Sequence, residues 1–97
     1  MASFVTLVKF TEQGIKGVNQ TTKRAEGFRD MAKKMGATVK DIYWTLGRFD
    51  AVAIFEAPDD ETATRLMLSV GSLGNIRTET LRAYSAKEMG EILKGMK

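Results

Sequence analysis

The residues best suited to chemistry cluster around position 50. Asp50 follows Gly47 by three residues, and Tyr43 and Thr45 stand a few positions upstream. A carboxylate close to an aromatic hydroxyl can transfer a proton on a small substrate when both groups lie in a buried site. Asp50 and Tyr43 are therefore the candidate catalytic residues. The alternative is that Asp50 accepts hydrogen bonds from backbone amides of its own turn, as aspartate commonly does.

Further polar residues fall on several predicted strands. Glu56 lies late in one strand and Arg82 in another, and we expect them to share a face and form an ion pair, because a partly buried carboxylate needs a partner. Threonine hydroxyls on the same face could orient a polar group of a ligand. The predicted ligand-binding residues are Thr6, Tyr43, Thr45, Glu56, Thr80 and Arg82.

The composition narrows the available chemistry, because the 97 residues include no histidine and no cysteine. Imidazole and thiolate are the ligands that zinc, copper and iron–sulfur centres prefer, and imidazole is the usual general base of nucleophilic triads. The consecutive Asp59, Asp60 and Glu61 are better placed to cap a helix than to hold a metal. We therefore expect no metal and no cofactor. Any catalysis would then be cofactor-independent proton transfer on a small molecule.

The spacing of apolar residues predicts the elements that position these side chains. A short segment rich in β-branched and aromatic residues predicts the first strand, and two later segments separated by a Gly-Arg pair predict an antiparallel hairpin. Three- and four-residue spacing predicts helices, and Ser85 with Glu88 predicts a capping box. The predicted strands are 3–10, 37–46, 49–57 and 76–84, and the predicted helices are 21–35, 59–70 and 86–96. Residues 11–20 are expected to form a loop or one short turn.

The order of these elements predicts the fold. Strand, helix, two strands, helix and strand, followed by a short C-terminal helix, is the split βαβ arrangement called ferredoxin-like. We expect residues 1–97 to form one α+β domain of this class. Right-handed crossovers would place both long helices on one face of the antiparallel sheet. The opposite face would then be open.

The composition of that open face predicts self-association. Side chains alternate along a strand, and we assign Val5, Leu7 and the Ala51, Ala53, Phe55 series to the helix side. The open face would then carry Thr6, Val8, Phe10, Tyr43, Thr45, Val52, Ile54, Glu56, Thr78, Thr80, Arg82 and Tyr84. Monomers rarely expose so large an apolar patch, so a second copy is expected to cover it. The alternative is a monomer that tolerates a threonine-rich surface.

Nucleic acids and membranes are not favoured as partners. The net charge of +3 is too small to indicate nucleic acid by itself. The RNA recognition motif shares the predicted topology, but Ala51 stands where its second stacking aromatic should follow Phe49, and the acidic Asp50 lies beside it. No stretch approaches the ~20 apolar residues of a membrane span, and the N-terminus lacks a secretory signal. We expect no nucleic acid, no membrane and a cytoplasmic location.

Three segments carry a family resemblance: 43–50 (YWTLGRFD), 55–61 (FEAPDDE) and 71–83 (GSLGNIRTETLRA). Together with residues 11–16 they extend the likeness nearly from end to end. The chain resembles the GYD domain family, whose glycine, tyrosine and aspartate correspond to Gly47, Phe49 and Asp50. Phe49 lacks the family's hydroxyl, which favours a packing role for this ring. The resemblance implies a dimeric α+β barrel, in which two ferredoxin-like sheets face one another and enclose a cleft. For a catalytic role, it implies cofactor-independent oxygenation of a small molecule as the alternative to proton transfer.

Two functional hypotheses follow. In the first, a homodimer or higher homo-oligomer binds a small, mostly apolar molecule in the cleft between the sheets. Tyr43 and the threonine hydroxyls would orient a polar group of this molecule. Arg82 would pair with an anion or with Glu56. In the second, the domain is a structural or regulatory module that only assembles, its sheet face filled by the partner's side chains. RNA binding is a third and less favoured hypothesis. A cavity of roughly 300 Å³ or more with converging polar groups would favour the first.

Overall fold

The computed structural model describes residues 1–96 and contains a four-stranded antiparallel sheet with helices against one face. The strands are β1 (Ala2–Phe10), β2 (Thr38–Trp44), β3 (Ala51–Ala57) and β4 (Ile76–Ala83). The helices are α1 (Glu12–Lys16), α2 (Thr21–Lys34), α3 (Asp60–Gly71) and α4 (Ala86–Lys94), with a 3₁₀ turn at Val18–Gln20. The strand order β2-β3-β1-β4 confirms the predicted ferredoxin-like α+β fold.

The core lies between one face of the sheet and helices α2 and α3. Phe55 of β3 is fully buried. Its ring stacks on Phe4 of β1 at 5.2 Å between centroids and meets Phe28 of α2 edge-on at 6.3 Å. Leu66 of α3 is also fully buried in this cluster. The aromatic contacts therefore fix which side chains of the two central strands face the helices.

The prediction of which β1 and β4 side chains face the helices is wrong. Thr6 and Val8 are buried with Phe4 on the helix side, and Val5 and Leu7 lie on the open face. Residues directly opposite in a ladder share a face, so the β4 residues opposite Val8, Thr6 and Phe4 also lie on the helix side; these are Thr78, Thr80 and Arg82. Because β1 is apolar on both faces, alternation alone could not choose between them.

Strand β2 contains an irregularity that reverses the alternation of its side chains. The register shifts between Val39 and Asp41, so Lys40 has no partner in β3. Such a bulge moves the following residues to the other face. Val39 is therefore buried on the helix side together with the half-buried Ile42, although simple alternation placed it on the open face with Tyr43.

Residues 11–20 contain more structure than the predicted loop or single turn. The Thr11 hydroxyl caps α1 by accepting from the Gly14 N–H at 3.0 Å, and it donates to the Gly74 carbonyl at 2.6 Å. The Thr11 N–H donates to the Asn75 carbonyl at 3.0 Å. Glycine at position 14 is required because a Cβ there would lie 1.9 Å from the Asn75 carbonyl oxygen. Helix α1 is thus fastened to the loop that precedes β4.

Helix α4 begins with the predicted capping box. The Ser85 hydroxyl accepts from the Glu88 N–H at 3.1 Å, and the Glu88 carboxylate accepts from the Ser85 N–H at 2.9 Å. The hydrogen bond from the Ser85 backbone lowers the pKa of Glu88. One side of α4 carries Met89, Ile92 and Leu93, all of them exposed. None of the helices within residues 1–96 is long and apolar enough to cross a membrane.

Candidate functional site

The structure distributes the predicted site residues over both faces of the sheet. Tyr43 is 58% exposed on the open face, and Glu56 lies on the same face. Thr6, Thr80 and Arg82 lie on the helix side. A single cleft on one face of the sheet therefore cannot collect all of these residues.

Asp50 fastens the β2–β3 hairpin to β1. Its carboxylate accepts a hydrogen bond from the Phe10 N–H at 2.8 Å, and its own N–H donates to the Val8 carbonyl at 2.8 Å. The Asp50 carbonyl accepts from the Thr45 N–H at 2.9 Å, and the Thr45 hydroxyl donates to the Phe49 carbonyl at 2.6 Å. Asp50 does bind a backbone amide, but one on β1 rather than one in its own turn. A catalytic role for Asp50 and Tyr43 stays a prediction.

Replacing Asp50 with alanine should lower the free energy of unfolding by about 1–3 kcal/mol, because the half-buried Phe10 N–H loses its acceptor. Asp50→Asn keeps an acceptor oxygen and should cost less than half as much. Urea denaturation measures both, with Asp41→Ala on the exposed part of β2 as a control expected within about 0.5 kcal/mol of the wild type. Equal losses of unfolding free energy in the alanine and asparagine variants would show that the charge of Asp50, and not its hydrogen bond, stabilises the contact between the hairpin and β1.

The aromatic ring at position 49 lies close to two cations. Lys9 Nζ is 5.6 Å and Arg48 Cζ is 5.4 Å from the centroid of the Phe49 ring. Both distances are within the range of a cation–π attraction. The ring makes these contacts without the help of a hydroxyl. This arrangement agrees with the packing role expected for Phe49.

Arg82 pairs with Glu88 and not, as expected, with Glu56. The guanidinium lies 3.7 Å from the Glu88 carboxylate, donates to the Ser3 carbonyl at 3.2 Å, and stacks over the Tyr84 ring at 4.5 Å. Glu56 projects from the other face of the sheet. The expected ion pair is therefore wrong, because the sheet itself separates the two side chains.

A cavity of about 210 Å³ lies between the sheet and helices α2 and α3, on the side away from the open face. Strand β3 contributes Ala51 and Ala53, whose small side chains leave space beneath the helices. Much of the remaining wall is apolar and includes Phe10, Phe28, Met31, Trp44, Val70 and Ile76. The cavity is large enough and apolar enough to hold a small apolar molecule within a single chain.

Few polar groups reach the cavity, and most of them are bonded to the protein. The Trp44 indole N–H donates to the Thr21 hydroxyl at 3.0 Å. The Arg24 guanidinium donates to the Gly14 carbonyl at 3.1 Å, so it is tied to helix α1. Thr6 lines the cavity from β1 and is 1% exposed. Of the predicted ligand-binding residues, Thr6 is the one that lines this cavity.

Sequence reasoning missed the cavity because it placed Thr6, Val8 and Phe10 on the open face. The signal that could have revealed it is the alternation of Ala51 and Ala53 in a central strand. Two small residues on the helix side of such a strand cannot fill the space that larger side chains would occupy. Thr80 and Arg82 lie elsewhere, in a shallower groove between α3 and β4.

A curated relative and two solved structures resemble this chain. The "Glutamine synthetase and cystathionine beta-lyase binding protein" of Thermus thermophilus is 30% identical over 95 residues, which cover 97% of this chain and all of the relative. The crystal structure of TTHA0845, also from Thermus thermophilus, is 23% identical with a TM-score of 0.58, covering 89% of this chain and 96% of that one. The structure of FFRP-DM1 is 16% identical with a TM-score of 0.64, covering 87% of this chain and all of that one. The two structural likenesses show the fold.

The family assignment comes from the sequence. The family model described as GYD domain matches residues 4–93, which is almost the whole chain. The match includes the hairpin with Gly47, Phe49 and Asp50, whose contacts with β1 are described above. This protein belongs to the GYD domain family.

Proposed function

We propose that this protein is a homo-oligomeric domain that binds a small, mostly apolar molecule. The observation that carries the proposal is the apolar cavity of about 210 Å³ between the sheet and helices α2 and α3. Protein interiors contain few voids larger than a water molecule, and an apolar void of about 150 Å³ is enough to bind benzene. The cavity replaces the cleft between paired sheets as the proposed ligand site.

Solvent can reach the cavity past two side chains of its wall. Trp44 is 45% exposed and Leu73 is 59% exposed, so the cavity opens at this end. Trp44 is the single tryptophan of the sequence. A ligand that enters the cavity should therefore change the fluorescence of the protein directly.

Toluene is a suitable probe for this site. The wild type should show a saturable change of Trp44 emission with toluene concentration. Ala53→Val adds two carbons to the cavity wall and should weaken toluene binding about tenfold, because overpacking a site costs about 1–3 kcal/mol. Val52→Ile, on the opposite face of the same strand, should leave the affinity unchanged. Circular dichroism verifies that both variants are folded. Absence of saturable binding to the wild type, or unchanged affinity in Ala53→Val, would contradict the proposal.

The proposed self-association is supported by five apolar side chains on the open face. Val5 lies opposite both Ile54 and Leu81, and Leu7 lies opposite Val52. The five side chains thus form one row of three across β4, β1 and β3 and an adjacent row of two across β1 and β3, where Glu79 of β4 lies opposite Leu7. Monomers rarely leave such a contiguous patch in water, and the centres of protein interfaces have this apolar character.

Charges at the two ends of the open face indicate how two copies would pair. Lys9 lies opposite Arg77 at one end of the patch, with Glu79 the next open-face residue of β4, and Glu56 lies at the other end. A two-fold axis between the sheets and perpendicular to the strands would bring the basic end of one copy against the acidic end of its partner. Such complementarity favours the pairing and fixes its direction.

Sedimentation velocity tests this pairing. The wild type should sediment as an oligomer at micromolar concentration, and Leu7→Glu should sediment as a single chain with unchanged far-UV circular dichroism, since a charge would be buried between the sheets. Thr22→Glu introduces the same charge at an exposed position of α2 and should remain oligomeric. Sedimentation of the wild type as a single chain would contradict self-association.

Docking onto another protein is a second candidate function, and helix α4 is the observation that favours it. All of its side chains except Glu88 are exposed, and Met89, Ile92 and Leu93 form an apolar stripe. An isolated helix of this length is marginal in water, so a partner surface would stabilise it. The relative from Thermus thermophilus is named for binding glutamine synthetase and cystathionine beta-lyase, and we propose metabolic enzymes of this kind as partners.

Calorimetric titration against the two purified enzymes tests the docking function. The wild type should bind at least one of them, and Ile92→Glu should abolish the binding. Lys87→Gln, on the polar side of α4, should bind like the wild type. A wild type that binds neither enzyme, or an Ile92→Glu variant that binds normally, would argue against docking through α4.

A further inference from the structure

We infer that the molecule bound in the cavity is an amphipathic monocarboxylate, whose apolar body fills the cavity and whose carboxylate pairs with Arg24. The inference rests on the small-molecule function proposed above and specifies the chemical class of the ligand. The observation that carries it is the charge of the cavity wall. Among residues 1–96, Arg24 is the only charged residue that lines the cavity.

The Arg24 guanidinium has donors that the protein does not use. One Nη donates to the Gly14 carbonyl at 3.1 Å, and this is the single hydrogen bond of the side chain within the described residues. A guanidinium carries five N–H donors at fixed positions in one plane, so Nε and the other Nη keep theirs. Arg24 forms no ion pair with a carboxylate of residues 1–96, where the two ion pairs are those of Arg82 and Lys94. The charge of Arg24 is therefore available to a ligand.

The guanidinium is held in one position at the cavity wall. Besides its hydrogen bond to Gly14, it lies against Gly17 at the end of α1, where an added Cβ would lie 2.5 Å from the other Nη of Arg24. A side chain that is already ordered loses little conformational freedom when a ligand binds. Arginine commonly pairs with a carboxylate through two parallel N–H donors. The fixed guanidinium is therefore a suitable partner for a carboxylate.

Arg24 lies near the end of the cavity that solvent reaches. It follows Thr21 by three residues on α2, so the two side chains lie on one face of the helix. The Thr21 hydroxyl accepts from the indole of Trp44, which is 45% exposed and borders the opening. Arg24 itself is half-buried. A carboxylate paired here keeps contact with water and avoids the cost of burying an unpaired charge, while the apolar body of the ligand lies against Ala51 and Ala53.

Benzoate and benzamide separate the charge of the ligand from its shape. Both are benzenes with one small planar substituent, which is a carboxylate in benzoate and a neutral amide in benzamide. A cavity of about 210 Å³ exceeds the roughly 150 Å³ that holds benzene. The ratio of the two affinities therefore measures recognition of the negative charge.

The experiment compares both probes on the wild type and two variants by Trp44 fluorescence. The wild type should bind benzoate about tenfold more tightly than benzamide, because a hydrogen-bonded pair of opposite charges is stronger than a neutral one. Arg24→Met removes the charge but keeps an unbranched side chain, so it should lose the preference and still bind toluene. Lys23→Met removes the same charge from the neighbouring exposed position and should retain the preference.

The outcomes separate this inference from the function on which it rests. Equal wild-type affinities for benzoate and benzamide, a preference for benzoate that persists in Arg24→Met, or one that is lost in Lys23→Met would overturn the carboxylate inference. A wild type that binds toluene but not benzoate would overturn this inference and leave the apolar site in place. A wild type that binds neither toluene nor benzoate would overturn the proposed small-molecule function as well. The wild-type comparison decides even if Arg24→Met does not fold.

Discussion

Replacing Phe4 with alanine should lower the free energy of unfolding by about 3–5 kcal/mol, as for other buried phenylalanines. Phe4 is 5% exposed, and its ring stacks on Phe55 at 5.2 Å. The truncation would leave a void beside the fully buried Phe55. Because this contact lies within one chain, the loss should be the same at every protein concentration. Urea denaturation at two concentrations measures it.

Val5 provides the matched control for Phe4, because it is the next residue of the same strand and points to the opposite face. Val5→Ala should cost less than Phe4→Ala, and its cost should depend on protein concentration, since the open face contributes to stability through association. A large loss for Val5→Ala that is independent of concentration, with a small one for Phe4→Ala, would mean that the two faces of β1 are reversed.

Replacing Gly14 with alanine should lower the free energy of unfolding by about 2–4 kcal/mol. An added Cβ would lie 1.9 Å from the Asn75 carbonyl oxygen and 2.9 Å from its carbonyl carbon, and both atoms belong to the backbone. Helix α1 would have to move away from the loop before β4, which breaks the hydrogen bond from Thr11 to Asn75. Thermal and urea denaturation measure the loss.

Gly27 in helix α2 is the control, and the expected effect has the opposite sign. No atom lies within 4 Å of a Cβ added there. Since glycine weakens a helix interior by about 0.5–1 kcal/mol relative to alanine, Gly27→Ala should raise the free energy of unfolding by a similar amount. If both Gly14→Ala and Gly27→Ala destabilise the protein, the close approach of Gly14 to the Asn75 backbone is not the cause of the loss at Gly14.

The Gly14 variant also bears on the proposed site. The Gly14 carbonyl accepts the hydrogen bond that holds Arg24 at the cavity wall. A displaced α1 would release this side chain and change the wall of the cavity. The short helix therefore links the stability of the fold to the shape of the proposed ligand site.

The βαββαβ order and the starts of helices α3 and α4 could be predicted from local signals. The S-x-x-E pattern at Ser85 and Glu88 specified a capping box, and the carboxylate at Asp59 caps α3 by accepting from the Thr62 N–H at 2.7 Å. Hydrogen bonding from the Thr62 side chain, and then from its backbone N–H, lowers the pKa of Asp59. Local signals are reliable here because each cap depends on residues three positions apart, whose distance the helix itself fixes.

The candidate site depended on contacts that no local signal specifies. Thr6 was assigned to the open face although β1 is apolar on both faces, and Arg82 because it belongs to the polar set of β4. The bulge at Lys40 moved Val39 to the helix side. The cavity arises where Ala51 and Ala53 pass beneath α2 and α3, which are distant in sequence.

The sequence by itself determined the βαββαβ order, the caps that begin α3 and α4 and the likeness to the GYD domain. These features follow from periodicity and from hydrogen bonds between near neighbours. The tertiary structure alone decided which face of β1 is buried, because the stacking of Phe4 on Phe55 outweighs the equal apolar character of the two faces. With that choice, Thr6 enters the cavity, and Val5 and Leu7 are left on the open surface.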